Sequence, residues 1–139
     1  MATKAADIMT KDVTVIREEE TLQQAAERLA SDDIGVLPIC DENRRIKGIL
    51  TDRDIVVQAV ARGRDPKTTR ASELEKGEIV TLAPNDSIDH AADLMAQYQV
   101  RRLPVVDDGR VVGMVSQADV AKNVAAEKAG RMLGAISTG

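Results

Sequence analysis

Residues 21–38 read TLQQAAERLASDDIGVLP, and residues 87–104 read SIDHAADLMAQYQVRRLP, which matches them at a constant spacing of 66. The match extends backward, since residues 5–8 (AADI) return as residues 71–74 (ASEL). It also extends forward at a spacing one residue shorter, since GILTDRD at 48–54 returns as GMVSQAD at 113–119. A repeat of this length is a structural unit that seldom buries its apolar face alone. We therefore expect two repeats that pack together and leave ligand-binding clefts between them.

Composition excludes several classes of protein. Hydrophobic residues make up 43% of the 139 residues, which argues against disorder. The chain has no Trp, no Phe and one Tyr, and its net charge is −4, so nothing favours nucleic-acid binding. No apolar run approaches the roughly 20 residues that span a bilayer. With a single cysteine, Cys40, the chain is expected to be a soluble cytoplasmic protein with no membrane partner.

Each repeat is predicted to run strand, helix, strand, strand, helix. Thr21 and Gln24 form a capping box, and the apolar residues that follow have helical spacing. Pro38 predicts an edge or bulge position in its strand. In the first repeat we expect strands at 13–16, 36–40 and 46–50, and helices from Thr21 and over 52–61. In the second repeat we expect strands at 79–82, 103–106 and 111–115, and helices over 87–97 and from Gln117.

The division of the chain follows from the repeat. The first repeat is predicted at 5–62, a polar linker at 63–70, the second repeat at 71–125 and a C-terminal tail at 126–139. The tail is rich in Ala and Gly, and its sequence leaves open whether it forms a frayed helix or is disordered.

The pattern Gly-apolar-apolar-Thr/Ser-x-x-Asp carries the chemistry. It occurs at Gly48 to Asp54 and at Gly113 to Asp119, where a strand is predicted to end and a helix to begin. At such a junction the unpaired N–H groups suit a phosphate. The hydroxyl of Thr or Ser is available there, and the carboxylate can accept two ribose hydroxyls. We also expect the glycine to allow a ligand to approach the strand closely.

A purely structural interpretation of this pattern is open as well. Thr51 and Ser116 are then ordinary N-caps, and Asp54 and Asp119 complement the helix dipole. The recurrence of the pattern in both repeats, each time after a glycine, favours a nucleotide site over capping alone.

The whole arrangement resembles the tandem CBS domain, named for cystathionine β-synthase, over roughly residues 5 to 125. The markers are Asp7-Ile8-Met9, the two Leu-Pro segments at 34–38 and 100–104, and the two Gly-to-Asp segments. The resemblance implies an α/β fold of two tandem β-α-β-β-α repeats packed as one module. It also implies pairing of two chains and clefts that bind AMP, ATP, ADP, NAD or a related adenosyl ligand, with no cofactor required.

The resemblance further implies that each cleft joins the Thr/Ser and Asp of one repeat to strands of the other. One predicted cleft consists of Ile49, Thr51, Asp54, Val80, Val100, Arg101 and Arg102. The other consists of Met114, Ser116, Asp119, Thr14, Ile34, Gly35 and Val36. Only the first contains two guanidinium groups, which suit phosphate. The Asp54 cleft is therefore expected to bind a phosphorylated nucleoside more tightly.

Other candidate residues are weaker. His90 is the only histidine and lies off the apolar face of its predicted helix, so we interpret it as an exposed helix residue and not a metal ligand. Cys40 lies in an apolar strand and is interpreted as a small buried hydrophobe. No nucleophile with a base and no metal cluster stands out, so neither catalytic nor metal residues are assigned.

The resulting hypothesis is a regulatory module for energy or redox sensing, which binds an adenine nucleotide and changes conformation for an effector protein that the sequence does not identify. A homodimer is expected from the Ala-rich helix faces of Leu22, Ala25, Ala26 and Leu29 and of Ile88, Ala91, Ala92 and Met95. Two alternatives stay open at this point: a ligand-free structural module for dimerisation or protein interaction, and a small enzyme that hydrolyses a bound nucleotide.

Overall fold

The computed structural model describes residues 3–74, 79–124 and 126–137, and the chain divides into two compact units. One unit is Thr14–Ile79. The other combines Met1–Val13 with Val80–Gly139. We refer to them as the Thr51 unit and the Ser116 unit, after the candidate site residue that each contains.

The Thr51 unit is a three-stranded sheet with helices. Its sheet has the order β1-β2-β3, in which β1 and β2 are parallel and β2 and β3 are antiparallel. Its elements in chain order are β1 (Ile16–Arg17), α2 (Leu22–Ser31), β2 (Val36–Cys40), β3 (Ile46–Thr51), α3 (Asp52–Asp54), a π-helical segment (Ile55–Val60) and a 3₁₀ turn (Ala71–Leu74).

The capping prediction for α2 is confirmed. The Thr21 hydroxyl accepts a hydrogen bond from the Gln24 amide at 3.2 Å, and the Gln24 side chain accepts one from the Thr21 amide at 2.9 Å. The apolar face of α2 then packs into the core of its unit, where Leu22 and Ala25 have no exposed surface. Sequence pattern and local structure agree here because the capping box and the apolar spacing both specify the same helix.

Two predicted details of the Thr51 unit are corrected. β2 is the central strand, so Pro38 does not lie on an edge strand. β1 pairs only with Ile39 and Cys40, so Pro38 has no partner residue in the β1–β2 pairing. The predicted bulge is present one residue on, between Ile39 and Cys40. The helix predicted over 52–61 is α-helical only for Asp52–Asp54 and then continues as a π-helix, in which the Ala61 amide donates to the Val56 carbonyl at 2.8 Å.

The described residues of the Ser116 unit form a β-hairpin and four helices. Its elements are α1 (Ala5–Ile8), α4 (Ile88–Tyr98), β4 (Arg102–Asp107), β5 (Arg110–Ser116), α5 (Gln117–Ala121) and α6 (Ala126–Ser137). The strand predicted at 79–82 is wrong in the described structure, where only Leu82 forms a parallel bridge, to Val105. The Leu82 amide donates to the Pro104 carbonyl and its carbonyl accepts from Val106, so the contact is a single rung and not a ladder.

The N-terminal segment completes the Ser116 unit, although residues 5–8 are the start of the first repeat in sequence. The Ala5 amide donates to the Asp86 carbonyl at 2.8 Å, and the Ala6 amide donates to the Pro84 carbonyl at 3.0 Å. The same pattern recurs in the Thr51 unit, where residues 71–74 bond to the segment before α2: the Ala71 amide donates to the Glu20 carbonyl at 2.8 Å. Each repeat is thus closed by the short helix or turn with which the other repeat begins.

The C-terminal tail forms a helix, which settles the alternative that its sequence left open. α6 packs along α4, and Met132 and Ile136 join the core that contains Ala91, Ala92 and Met95. The Lys128 ammonium lies 2.8 Å from the Asp93 carboxylate and adds an ion pair between the two helices.

The helix faces on which the homodimer prediction rested are covered within the single chain. Seven of those eight residues are buried and Ala26 is partly buried. These faces therefore give no support to dimerisation, and the homodimer stays a prediction. The exposed large apolar residues of the described structure are elsewhere: Val56, Val57 and Val60 on the π-helical segment, and Tyr98 and Leu133 in the Ser116 unit. Among the described residues, no helix combines the length and apolar character that crossing a bilayer requires.

Candidate functional site

The junction of β3 and α3 holds the Thr51–Asp54 pair. The Thr51 hydroxyl accepts a hydrogen bond from the Asp54 amide at 3.0 Å, and the Asp54 carboxylate accepts one from the Thr51 amide at 3.0 Å. Asp54 is only 8% exposed. The reciprocal bonds form a capping box, which holds hydroxyl and carboxylate side by side at the start of the helix.

The junction of β5 and α5 holds the equivalent Ser116–Asp119 pair. The Ser116 hydroxyl accepts from the Asp119 amide at 3.2 Å and donates to the Asp119 carboxylate at 2.8 Å. Both residues are partly exposed. Both pairs therefore act as helix caps, as the structural interpretation of the sequence expected. A carboxylate offers about four acceptor positions on its two oxygens, so capping alone does not define what such a pair can bind.

Strand register determines which predicted residues lie beside each pair. In the Thr51 unit, Val36 is opposite Thr51 and Pro38 is opposite Ile49. Side chains alternate along a strand, so Val36, Ile49 and Thr51 share one face of the hairpin. We call Gly35, Val36, Ile49, Thr51, Asp52 and Asp54 the Thr51 half-site.

The Ser116 unit repeats this geometry with different side chains. Arg102 is opposite Ser116 and Pro104 is opposite Met114, so Arg102, Met114 and Ser116 share one face. We call Arg101, Arg102, Met114, Ser116, Gln117 and Asp119 the Ser116 half-site.

The loop before each hairpin closes onto the start of the helix that follows it. The Asp52 amide donates to the Gly35 carbonyl at 3.1 Å, and the Gln117 amide donates to the Arg101 carbonyl at 2.8 Å. The first helical residue of each half-site is thereby fixed beside the residue that precedes the strand. Asp52 and Gln117 were not among the predicted site residues. Their signal in the sequence is that they occupy equivalent positions of the two repeats and differ in charge.

The predicted clefts combined residues from different repeats, whereas the contacts described above lie within one unit. Arg101 and Arg102 belong to the unit of Ser116 and Asp119, and Gly35 and Val36 belong to the unit of Thr51 and Asp54. The cross-repeat composition of the clefts stays a prediction.

The remaining predicted residues have structural roles in their own units. Thr14 donates its hydroxyl to the Asp32 carboxylate at 2.5 Å, which ties the segment before β1 to the end of α2. Ile34 packs against the core of the Thr51 unit. Val80 and Val100 pack against the core of the Ser116 unit.

The glycine of the second Gly-to-Asp segment accommodates a side chain of the same unit. A Cβ on Gly113 would overlap the Met9 sulfur and would lie 2.7 Å from the Met9 Cγ. Next to it, Thr10 and Met114 exchange two backbone hydrogen bonds of 2.8 and 2.9 Å. The expected reason for Gly113, close approach of a ligand, is corrected here: Met9 fills that space.

His90 and Cys40 are located as their sequence context predicted. His90 is exposed on α4, and its amide donates to the Ser87 hydroxyl at 3.1 Å. Cys40 is buried in β2, and desolvation raises the pKa of its thiol from 9.0 to about 11. Within the described residues, no group of three or more His, Cys, Asp or Glu side chains is arranged to hold a metal ion.

Comparison with known families now identifies the repeat. The family model described as the CBS domain matches twice, at residues 5–60 and 71–126. The chain belongs to the CBS domain family. The predicted family and the predicted α/β fold of two CBS repeats are both confirmed.

Two relatives match most of the chain. Hypoxic response protein 1 of Mycobacterium tuberculosis is 45% identical over 122 residues, which cover 88% of this chain and 85% of that protein. The CBS domain-containing protein YhcV of Bacillus subtilis is 41% identical over 132 residues, which cover 94% of this chain and 93% of that protein.

Three solved structures share the fold, and each contains a bound group. Hypoxic Response Protein I, with two coordinated zinc ions, has a TM-score of 0.82 at 45% identity and covers 88% of this chain and 100% of that one. The CBS domain pair of MJ0100, in complex with 5′-methylthioadenosine and S-adenosyl-L-methionine, has a TM-score of 0.77 at 31% identity, over 88% and 95%. The cytosolic domain of the Mg²⁺ channel MgtE, in complex with ATP, has a TM-score of 0.75 at 32% identity, over 87% and 48%.

Proposed function

We propose that this chain is a regulatory module that binds an adenosyl ligand and has no catalysis of its own. The observation that carries the proposal is the duplicated half-site, in which a hydroxyl at the end of a hairpin and a carboxylate in the first turn of the following helix are held together in each repeat. Two solved structures that are similar to this chain contain adenosyl compounds, methylthioadenosine with S-adenosylmethionine in the CBS domain pair of MJ0100 and ATP in the cytosolic domain of MgtE.

The proposed chemistry is recognition of a ribose by each carboxylate. Asp54 and Asp119 are the groups that accept hydrogen bonds from the two ribose hydroxyls. The neighbouring hydroxyls of Thr51 and Ser116 reach the same part of the ligand. Apolar side chains on the same face, Ile49 and Met114, provide contact area for the base.

The proposed mechanism is a population shift. A ligand that contacts both repeats, as the predicted clefts require, favours the arrangement in which both line the cleft. An effector protein would recognise that arrangement, and AMP, ATP, ADP or NAD would report energy or redox state in the cytoplasm. The change in free energy between the two arrangements cannot exceed the difference in the ligand's binding free energy for them.

Thermal unfolding with a panel of small molecules tests the proposal. A ligand at 100 times its Kd stabilises the folded state by about 2.7 kcal/mol, so AMP, ATP, NAD or S-adenosylmethionine should raise Tm measurably. GMP and inorganic phosphate are the controls. Mass spectrometry of small molecules released from the purified, denatured protein identifies the natural ligand. Equal shifts with AMP, GMP and phosphate would reduce the effect to non-specific anion binding.

Two observations favour a second candidate function, a ligand-free module for protein interaction. The hydroxyl and carboxylate of each pair already bond to one another or to the helix start, and Met9 fills the space above Gly113. A protein of this kind would show no Tm shift with any adenosyl compound and would retain no small molecule through purification.

A further inference from the structure

The N-terminal strap, which we define as residues 3–10, is held on the Ser116 unit at two separate places. At its start, Ala5 is buried in the core, and the Ala5 amide donates to the Asp86 carbonyl at 2.8 Å. At its end, the Met9 side chain lies on Gly113 of β5. The second attachment therefore depends on one flexible side chain and on the backbone bonds beside it.

The Met9 side chain lies directly on the backbone of β5. A Cβ built on Gly113 would overlap the Met9 sulfur and would lie 2.7 Å from its Cγ and 3.0 Å from its Cβ. Glycine at this position leaves the room that the thioether occupies. Met9 also packs against the apolar core of the Ser116 unit, so its sulfur lies between that core and the strap.

Three backbone amides beside this contact already have acceptors. The Met9 amide donates to the Ala5 carbonyl at 3.0 Å. The Thr10 amide donates to the Met114 carbonyl at 2.8 Å, and the Met114 amide donates to the Thr10 carbonyl at 2.9 Å. A new acceptor on the Met9 sulfur would find these donors engaged, and a polar group held without a partner in an apolar place is costly. The position therefore suits a thioether and disfavours its polar oxidised form.

Partial exposure separates Met9 from the methionines of the core. Met95 and Met132 are 0% and 1% exposed, whereas Met9 and Met114 are partly exposed. Oxidation to the sulfoxide turns an apolar methionine into a polar side chain. Met114 is on the opposite face of β5 from Gly113, because side chains alternate along a strand. Among these four methionines, Met9 thus combines access to an oxidant with a packed apolar place that the sulfoxide would have to leave.

We propose that Met9 is an oxidation site at which a hydroperoxide releases the end of the N-terminal strap from β5. The sulfur attacks one peroxide oxygen, so an S–O bond forms as the O–O bond breaks. The thioether is oxidised to the sulfoxide, and the peroxide is reduced to water or an alcohol, which keeps the peroxide proton. The sulfoxide leaves its place on Gly113, and the hydrogen bonds between Thr10 and Met114 are lost, while the attachment at Ala5 stays. This inference is independent of the proposed function, because it concerns the chain without a ligand.

Peptide mapping of the full chain after treatment with dilute hydrogen peroxide tests the site. Trypsin cleaves after Lys and Arg, so each of the four methionines falls in its own peptide: Met9 in 5–11, Met95 in 77–101, Met114 in 111–122 and Met132 in 132–139. In native protein Met9 should gain an oxygen at least about tenfold faster than Met95 and Met132, and in urea-unfolded protein the rates should converge. Equal rates in native protein would overturn the proposal.

Thermal unfolding and hydrogen exchange test the release. Oxidation of Met9 should lower the Tm by about 5–15 °C, the size of shift that a lost packing contact gives in a chain of this length. By NMR, the Thr10 and Met114 amides should exchange at least about tenfold faster, and the Ala5 amide should change little. A methionine sulfoxide reductase, which oxidises two thiols to a disulfide and releases the oxygen as water, should restore both readouts. Unchanged Tm and exchange in fully oxidised protein would contradict the release.

Met9→Leu is the matched control, because it keeps an apolar side chain and cannot form a sulfoxide. Peroxide should leave its Tm and exchange unchanged, although Cys40 and the other methionines are still present. Met114→Leu should respond to peroxide as the wild type does. Equal losses in Met9→Leu and wild type would assign the effect to another residue and overturn the proposal.

Met9→Gln gives an independent test without any oxidant, since it places a polar group at the same position on a chain of similar length. It should reproduce the lower Tm and the faster exchange of the Thr10 amide. This variant decides the question where Met9→Leu does not fold. Wild-type values of Tm and exchange in Met9→Gln would show that the position tolerates a polar group, which the proposal forbids.

Discussion

Burial controls the reactivity of Cys40. The side chain has no exposed surface, and desolvation raises the pKa of the thiol to about 11. Only the thiolate reacts as a nucleophile, so the native thiol is both shielded and protonated at neutral pH. We expect a chromogenic thiol reagent at pH 7.5 to modify Cys40 at least about 100-fold more slowly in native than in denatured protein. Equal rates in the two states would contradict the buried position.

Gly113 and Met9 give a second prediction at the residue scale. A methyl group on Gly113 would overlap the Met9 side chain, so Gly113→Ala should reduce the free energy of unfolding by about 1–3 kcal/mol, the usual cost of overpacking. Met9→Ala removes the overlapping atoms. The double variant Gly113→Ala/Met9→Ala should therefore lose less than the two single variants combined, as measured by urea unfolding. Additive losses would show that the two residues do not share this space.

The sequence predicted the residues at both strand-to-helix junctions but not the reason for Gly113. The Thr51–Asp54 and Ser116–Asp119 pairs are visible because their members lie three residues apart and interact locally. Met9 is over a hundred residues from Gly113, so no local pattern reveals that it covers the glycine. Asp52 and Gln117 were missed for another reason: their role depends on backbone hydrogen bonds that bring distant segments together.

At the scale of elements, the Glu20–Arg28 pair links the segment before α2 to the last turn of that helix. Arg28 donates two hydrogen bonds of 2.5 Å to the Glu20 carboxylate and a third, of 3.0 Å, to the Val15 carbonyl. The hydrogen bonds from Arg28 are the main reason that the pKa of Glu20 lies below its ordinary value of 4.5. Because the folded-state pKa is lowered, this pair stabilises the protein above about pH 4.5 and loses its contribution as pH falls through the lowered value.

Glu20→Gln should accordingly cost about 1 kcal/mol at pH 7, since both partners are partly exposed and solvent screens the pair. The difference between wild type and variant should shrink as the pH is lowered below 4.5. Urea unfolding at pH 7, 5 and 3.5 measures it. Glu19→Gln is the control, because Glu19 forms an exposed ion pair with Arg17 and should change stability little. A constant difference at all three pH values would contradict the titration of Glu20 as its source.

The packing of α6 on α4 gives the next prediction. Met132 is 1% exposed and lies in the core of the Ser116 unit, whereas its neighbour Leu133 is 37% exposed. Met132→Ala should cost about 2–5 kcal/mol of unfolding free energy, and Leu133→Ala much less. Hydrogen exchange should show faster exchange in α4 for the Met132 variant and little change in α2. Equal costs for the two variants would contradict the orientation of α6.

A helix or strand could be predicted from the sequence where the residues that determine it lie within one short segment. α2 and α4 were predicted because their caps and apolar spacing lie within one segment. The strand predicted over 79–82 has a suitable sequence, but the structure gives only Leu82 a strand partner. The π-helical segment was not predicted, because its apolar residues Ile55, Val56, Val57, Ala59 and Val60 fit regular helical spacing equally well.

At the scale of the whole molecule, each CBS repeat is completed by a segment from outside its own contiguous stretch. Ala5 is buried in the core of the Ser116 unit, and Ala71 is buried in the core of the Thr51 unit. The sequence revealed that residues 5–8 and 71–74 are equivalent, but not that each closes the opposite repeat. That exchange depends on backbone hydrogen bonds between residues roughly 80 or 50 positions apart, such as Ala5 with Asp86 and Ala71 with Glu20.

The homodimer remains a prediction, and the structure changes the surface on which it should be tested. Val56, Val57 and Val60 are 57%, 39% and 60% exposed and lie within about one turn of each other on the π-helical segment. Contiguous exposed apolar side chains of this kind mark interaction sites. In a two-fold symmetric dimer, the three exposed valines of one chain would pack against the same three valines of the other.

Light scattering at micromolar concentration should then give about twice the 15.0 kDa chain mass, and Val60→Asp should shift it toward the monomer because it places a charge in an apolar contact. Tyr98→Asp is the control, since Tyr98 is an exposed apolar residue of the other unit. A monomeric wild type would contradict the homodimer. Dissociation by Tyr98→Asp but not by Val60→Asp would show that the dimer contact lies elsewhere. A new charge weakens the dimer only where the interface would bury it.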